Sequence, residues 1–328
     1  MRVIGWVLAA TAVVAAANAD DSSAMLKAGS IVFVKSTPVK MAAEDLYVSP
    51  KQVRIRFDFE NPTAKDVETI VAFPLPDIAV GELWEVPIGT VTDDPKNFVG
   101  FTAVVDGKPV PVTVEQRAFA KGKDVTATLQ AAGMPLLPMI GGGFEAVDKI
   151  PLAKKKALIA AGLAEGDNDY FIGHWTVKTK FYWTQKFPAR KTVVIAHSYQ
   201  PVTGQSFFTT AYHARGDKNL FGDLDYCLDA PTWKALAART GENQDPSEGT
   251  RLMTTYETSY ILSTAGNWQG PIGKFRLTLD KLKPDNILSL CWDGELKKSG
   301  PTSFTFAADA YAPKRDIAMI VFENAGPQ

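Results

Sequence analysis

The sequence predicts a mainly β fold: two β-sandwich-like regions with a helical insertion. Three observations carry this. Residues 53–59 (VRIRFDF) alternate strictly, with Val53, Ile55, Phe57 and Phe59 on one face and Arg54, Arg56 and Asp58 on the other. That period is the mark of a strand with one wet face. Trp175, Val177, Thr179, Phe181 and Trp183 repeat it later in the chain, while Ala-, Leu- and Lys-rich residues 151–161 between them change to a helical pattern. With 328 residues, 46% hydrophobic and 22% charged, the chain has the balance of a folded globular protein.

The first 19 residues, MRVIGWVLAATAVVAAANA, read as an export leader. Arg2 forms the charged end, Val3 to Ala17 the apolar stretch, and Ala17-Asn18-Ala19 the small-x-small cleavage pattern. Cleavage near Ala19 predicts a periplasmic or secreted protein starting at Asp20. No later stretch is long and apolar enough to span a bilayer.

Residues 31–34 are a short apolar run, and residues 53–59 the first long strand. Asn61-Pro62-Thr63 is turn chemistry, because Pro fixes φ and Asn bonds its own backbone. Residues 67–73 are then expected to return as the second strand of a hairpin. Pro74 and Pro76 lack N–H donors and are expected to end that strand. Residues 98–114 read as a further hairpin with Asp106-Gly107 at the turn.

Residues 125–133 predict a short helix with a glycine stop, and 151–161 a helix that begins at Pro151 and ends before Gly162. Gly141-Gly142-Gly143 reads as a flexible joint. It lacks GxGxxG spacing, and no Lys-Ser or Lys-Thr follows it. A helix is expected over 231–239. Short strands over 254–263, 275–279, 287–291, 302–307 and 317–322 complete the pattern, with strands at 175–183 and 191–199 before them. The organisation expected is a leader (1–19), an N-terminal β-sandwich-like region (20–120), a helical insertion (121–168) and a C-terminal β-rich region with a disulfide (169–328).

Cys227 and Cys291 are the two cysteines. In an oxidising compartment they predict one disulfide, closing a loop worth about 4 kcal/mol on the chain-entropy account. The alternative is a pair of buried thiols. Their spacing is not that of CxxC or a zinc knuckle.

No residue constellation identifies a reaction, so no catalytic, cofactor-binding or metal-ligating residue is assigned and no cofactor is expected. His174, His197 and His213 lack partners at metal-ligand spacing, although ligands can converge across strands. His197 shares a strand face with Ile195 and Tyr199, which suits a packed, hydrogen-bonded histidine. Asp223 and Asp225, and Glu44-Asp45, are local carboxylate pairs that could serve hydrolysis or calcium. Solvated acidic residues are the ordinary alternative. Trp175, Tyr182, Trp183, Tyr199, Tyr212 and Trp268 form the candidate binding surface, with Phe207 nearby in sequence. Exposed, such rings stack on sugars or anchor a protein partner; buried, they fill a sandwich core. A net charge of −1 offers no drive for nucleic-acid binding.

The blocks DDSSAMLKAG, EDLYVSPKQVRIRFDFENPTAKDVETIVAFPLPD, VTATLQAAGMPLLP and TAGNWQGPIGKFRL…LSLCWDG resemble the exported bacterial proteins of domain-of-unknown-function family 4424 over nearly the whole mature chain. This implies an exported bacterial setting and supplies no activity or catalytic residue. Residues 50–115, with Asn61-Pro62 and Phe73-Pro74-Leu75-Pro76, are also similar to the VIT domain of inter-alpha-trypsin inhibitor heavy chains. VIT domains are β-rich interaction modules; no DxSxS motif follows here. The expectation is an exported, non-enzymatic protein that binds an envelope protein or glycan, with an envelope hydrolase or a metal-binding protein as the alternatives.

Overall fold

The computed structural model describes residues 32–33, 38–81, 91–167, 170–210, 226–240, 252–262, 265 and 268–324. The expected leader (residues 1–19), Tyr212, His213, Asp223 and Asp225 lie outside them.

In chain order the strands begin with β1 (Val32–Phe33), β2 (Lys40–Ser49), β3 (Gln52–Glu60), β4 (Val67–Pro74), β5 (Ile78–Ala79), β6 (Thr102–Val105), β7 (Lys108–Pro109), β8 (Thr113–Ala120) and β9 (Lys123–Asp124). Helices α1 (Thr126–Ala132), α2 (Gly143–Asp148) and α3 (Leu152–Ala160) follow, then β10 (Ala164–Gly166), β11 (Phe171–Gly173), β12 (Thr176–Phe187), β13 (Thr192–Tyr199) and β14 (Gly204–Phe208). Helix α4 (Ala230–Thr240) precedes β15 (Met253–Tyr260), β16 (Ile272–Asp280), β17 (Ile287–Leu290), β18 (Lys297–Lys298), β19 (Ser303–Tyr311) and β20 (Ile317–Asn324).

The fold is mainly β, as expected, and its two sandwich-like regions share one sheet. That sheet has eight strands in the order β18-β19-β16-β2-β3-β13-β6-β7. A second sheet, β1-β4-β12-β8-β9 with β5 also on β12, covers one part of it. A third, β14-β15-β20-β17, covers another. Both stack on the same face of the shared sheet. Val53, Ile55, Phe57 and Phe59 of β3 point inward there and are buried. Phe59 meets Phe187 of the second sheet edge-on at 6.0 Å, and Glu44 of β2 meets Tyr260 of the third. One continuous core results. Strands β12 and β13, which follow the helical segment, sit between strands that precede it.

The predicted hairpin at residues 53–73 is replaced by an arch. β3 pairs with β2 and β13, whereas β4 pairs with β1 and β12 in the facing sheet. Both strands carry an apolar face, and facing one another across a core buries both. The corner is held by buried Asn61. Its side-chain amide donates to the carbonyls of Lys65 and Phe187, each at 2.8 Å, and its oxygen accepts from the backbone and hydroxyl of Thr63. The link from β12 to β13 makes the same crossing beside it, with the Asn61 N–H donating to the Lys191 carbonyl.

Pro74-Leu75-Pro76 interrupts the ladder without leading the chain away. The Leu75 N–H still donates to the Thr179 carbonyl, and β5 rejoins β12 at Ile78 and Ala79. The Asp106-Gly107 turn is present, with both residues at positive φ as a type I′ hairpin requires. Gly133 (φ 80°) closes α1 and Gly162 (φ 70°) follows α3. The three-glycine run opens α2 in a tight corner: a Cβ on Gly141 would lie 2.3 Å from the Asp93 carbonyl oxygen.

Strand β20 reads IAMIVFEN and is buried on both faces. Ile317, Met319 and Val321 face the main core. Ile320 and Phe322 face a smaller one with Phe208, Tyr226 and Leu236 of α4. The predicted disulfide ties this outer layer down: Cys227 and Cys291 are bonded, with their Cα atoms 5.0 Å apart.

Candidate functional site

The aromatic residues singled out by sequence are mostly core. Trp175, Trp183, Tyr199 and Trp268 are each less than 8% exposed, Tyr182 is half-buried, and Tyr212 lies outside the described residues. The proposed binding surface is therefore corrected for those four. Trp183 and Tyr199 occupy the inward phase of β12 and β13, and Trp175 and Trp268 are buried just before β12 and β16. An aromatic ring so placed contributes about 2–3 kcal/mol by burial. Trp268 stacks on Phe59 at 4.1 Å, and the Trp175 indole donates to the Leu136 carbonyl at 2.8 Å.

His197 is also core. Phe57, Phe73, Phe101 and Trp183 surround it at 5.0–5.8 Å between ring centroids. It is packed as expected, but not hydrogen-bonded: among the described residues neither ring nitrogen has a partner. Burial alone pushes its pKa down to about 3, so the ring is neutral. His174 is elsewhere, at 3.6 Å from Glu165 in a shallow exposed recess that includes Lys121. Among the described residues no three His, Cys, Asp or Glu side chains converge on a metal position.

Glu44 and Asp45 do not form a carboxylate pair, because neighbours on a strand point to opposite faces. Glu44 faces inward and is 1% exposed. Burial pushes its pKa up to about 8, against a lesser opposing hydrogen bond from Tyr260. Asp45 faces out, into a charged feature of the surface.

That feature is a depression of about 460 Å³ on the open face of the shared sheet. Cross-strand register builds it as two rows. Asp309, Lys274, Ala43 and Asp58 lie side by side on β19, β16, β2 and β3. Ala307, Arg276, Asp45 and Arg56 form the next row on the same strands. The alanines supply a low floor, and the six charged side chains stand around it with signs alternating across the strands within each row, while Lys274 and Arg276 form a like-charged pair along β16. Arg56 also reaches Asp58 at 3.1 Å. A β-bulge between Met41 and Ala43 interrupts the regular ladder at this point. Bulges bend a sheet locally and re-aim its side chains. At Gly273 the strands come so close that a Cβ would sit 2.4 Å from the Ala42 carbonyl oxygen. The charged groups are thus carried on rigid strands, not on loops. The VRIRFDF alternation announces Arg56 and Asp58 as outward, but their partners on β16 and β19 follow only from the pairing.

A second recess, of about 430 Å³, opens where the third sheet meets the end of the shared one. Lys51, Gln205, Tyr256, Lys283 and Glu323 line it. No helix among the described residues is long and apolar enough to cross a membrane.

A search of curated proteins found no match. Among solved structures, the chain is similar to one described as a "putative nutrient binding protein" of Legionella pneumophila subsp. pneumophila. The two are 16% identical with a TM-score of 0.47, over 90% of this chain and 70% of that one. Among protein families, residues 19–320 match the one described as a domain of unknown function, DUF4424. With nearly the whole chain matched, this protein belongs to the DUF4424 family.

Proposed function

We propose that this is an exported, non-enzymatic binding protein of the cell envelope, and that it docks a protein partner on the charged depression of the shared sheet. The carrying observation is the two-row grid of Asp309, Lys274 and Asp58 over Arg276, Asp45 and Arg56. Charges of both signs at fixed spacing suit a partner with the complementary alternation. An acidic polymer is a poorer fit, since three carboxylates stand among the three cations. The export leader and the disulfide support the envelope setting. The aromatic core and the separation of His174 from His197 favour binding over hydrolysis or metal capture.

The test is affinity capture from periplasmic extract with the chain beginning at Asp20, followed by binding of the purified partner. The expected result is a protein whose association slows with salt and is lost in the Arg56→Glu/Arg276→Glu double variant. Capture that is unchanged in the double variant, or no protein recovered, overturns the proposal.

A further inference from the structure

The recess at the end of the third sheet has a different chemistry from the charged depression and shares no residue with it. Its walls come from two sheets. Lys51 lies in the turn between β2 and β3, and Lys283 follows β16, both on the shared sheet. Gln205, Tyr256 and Glu323 stand on the inward face of the third sheet. Register places Gln205 beside Tyr256, and Thr254 beside Glu323.

Phe207 extends that face. It lies opposite Thr254, two positions along β14 from Gln205, and is 64% exposed. A large apolar ring left this open beside a polar recess is uncommon, because exposed aromatic surface forgoes about 2 kcal/mol of burial. Glu323 is committed within the protein: Lys283 meets it at 2.7 Å and the Asn286 amide at 3.2 Å. Burial pushes its pKa up, but these hydrogen bonds and the nearby Lys51 charge outweigh it and hold the carboxyl below its usual range. Two ammonium groups and one carboxylate leave the recess with one positive charge in excess. Lys51, in an exposed turn, supplies it.

We propose that this recess binds a sugar acid, a hydroxylated ring carrying one carboxylate. The carboxylate meets Lys51. The ring lies against Tyr256 and Phe207, whose faces suit the C–H side of a sugar. Hydroxyls bond the Gln205 amide, which is both donor and acceptor, and the outer lone pairs of Glu323. A recess of this volume takes one or two sugar rings. A free sugar acid and the end of an acidic glycan present this same chemistry.

The experiment titrates the mature chain by calorimetry with galacturonate, galactose and a galacturonate trimer. Galacturonate is expected to bind with roughly millimolar affinity and galactose about tenfold more weakly. The trimer binding more tightly than the monomer identifies a glycan end, and equal affinities a free sugar acid. Lys51→Met and Phe207→Ala are each expected to weaken galacturonate about tenfold, with unchanged melting temperature because both side chains are exposed. Lys156→Met, on the exposed side of α3, is the control for loss of general positive charge. Equal affinity for galactose and galacturonate, retention of binding in the two recess variants, or no binding of either acid at tens of millimolar overturns the proposal. None of these outcomes bears on protein capture by the charged depression, so the two assignments stand or fall separately.

Discussion

The side-chain amide of Asn61 donates to the carbonyl of Phe187, 2.8 Å away and 126 positions along the chain. This bond joins two neighbouring arches, each of which carries the chain from one sheet to its opposite. The same amide reaches Lys65, and its oxygen receives two bonds from Thr63, so all of its strong hydrogen-bonding capacity is used inside the protein.

Asn61→Ala is therefore expected to cost about 3 kcal/mol, since it removes the buried hydrogen bond to the Phe187 carbonyl and the internal turn bonds. Thr63→Ala removes one hydroxyl near the surface and is expected to cost about 1 kcal/mol. Urea denaturation checks both. Equal, small losses would show that the arches hold without Asn61.

Removing the Cys227–Cys291 bond by Cys→Ser at both positions is expected to lower stability by about 4 kcal/mol. Intact mass after alkylation without reduction should show no added label on protein made in an oxidising compartment. Labelling at two positions would refute the bond.

Buried Glu44 and buried His197 pull the pH dependence of stability in opposite directions. His197 has its pKa depressed to about 3, so its contribution is present above its unfolded value near 6.5 and fades as pH falls toward 3. Glu44 has its pKa raised to about 8, so its contribution is present below its unfolded value near 4.5 and fades as pH rises toward 8. From about pH 4.5 to 6.5 the unfolded chain holds a proton on His197 and the folded protein holds one on Glu44. The two slopes, each about 1.4 kcal/mol per pH unit, cancel. For these two groups wild-type stability is expected to be flat there and to fall on either side, and Glu257, whose carboxyl burial also pushes up, adds a decline as pH rises above its unfolded value.

Relative to wild type, single variants should tilt the profile in opposite directions. Of these two effects Glu44→Gln leaves only that of the histidine, which lowers stability as pH drops below 6.5. His197→Met leaves only that of the carboxyl, which lowers stability as pH rises above 4.5. Chemical denaturation at pH 4.5, 5.5 and 6.5 measures the tilt. The same slope in both variants would exclude these groups as its source.

Much of the fold was legible because period two reports burial directly. Trp175 to Trp183 and Val53 to Phe59 lie inward as their alternation requires, and Gly133, Gly162 and Asp106-Gly107 sit where their backbone freedom is used. Partner choice was not legible. Nothing in VRIRFDF distinguishes pairing with residues 67–73 from pairing with β2 and β13. The arch depends on Asn61, whose burial emerges only when Phe187 is brought beside it. The charged depression has the same character: Asp45 and Arg276 become neighbours through a parallel pairing across more than two hundred residues. Glu44 could have been found. It falls in phase with Leu46 and Val48, and that phase, not its charge, set its position.

The parallel pairing of β2 with β16 has a consequence for biogenesis. A polypeptide threaded through a membrane from its N-terminus delivers β2 and β3 long before β16, and β20 last among the described strands. Until residue 280 emerges, β2 has an open edge, and until residue 324 does, β15 lacks its partner β20. Such delayed long-range closure slows folding and exposes sticky edges. On the proposed export route, the half-translocated chain would be a client for a holding chaperone, and a nascent product cut short before β16 should be degraded, not accumulated as a smaller domain.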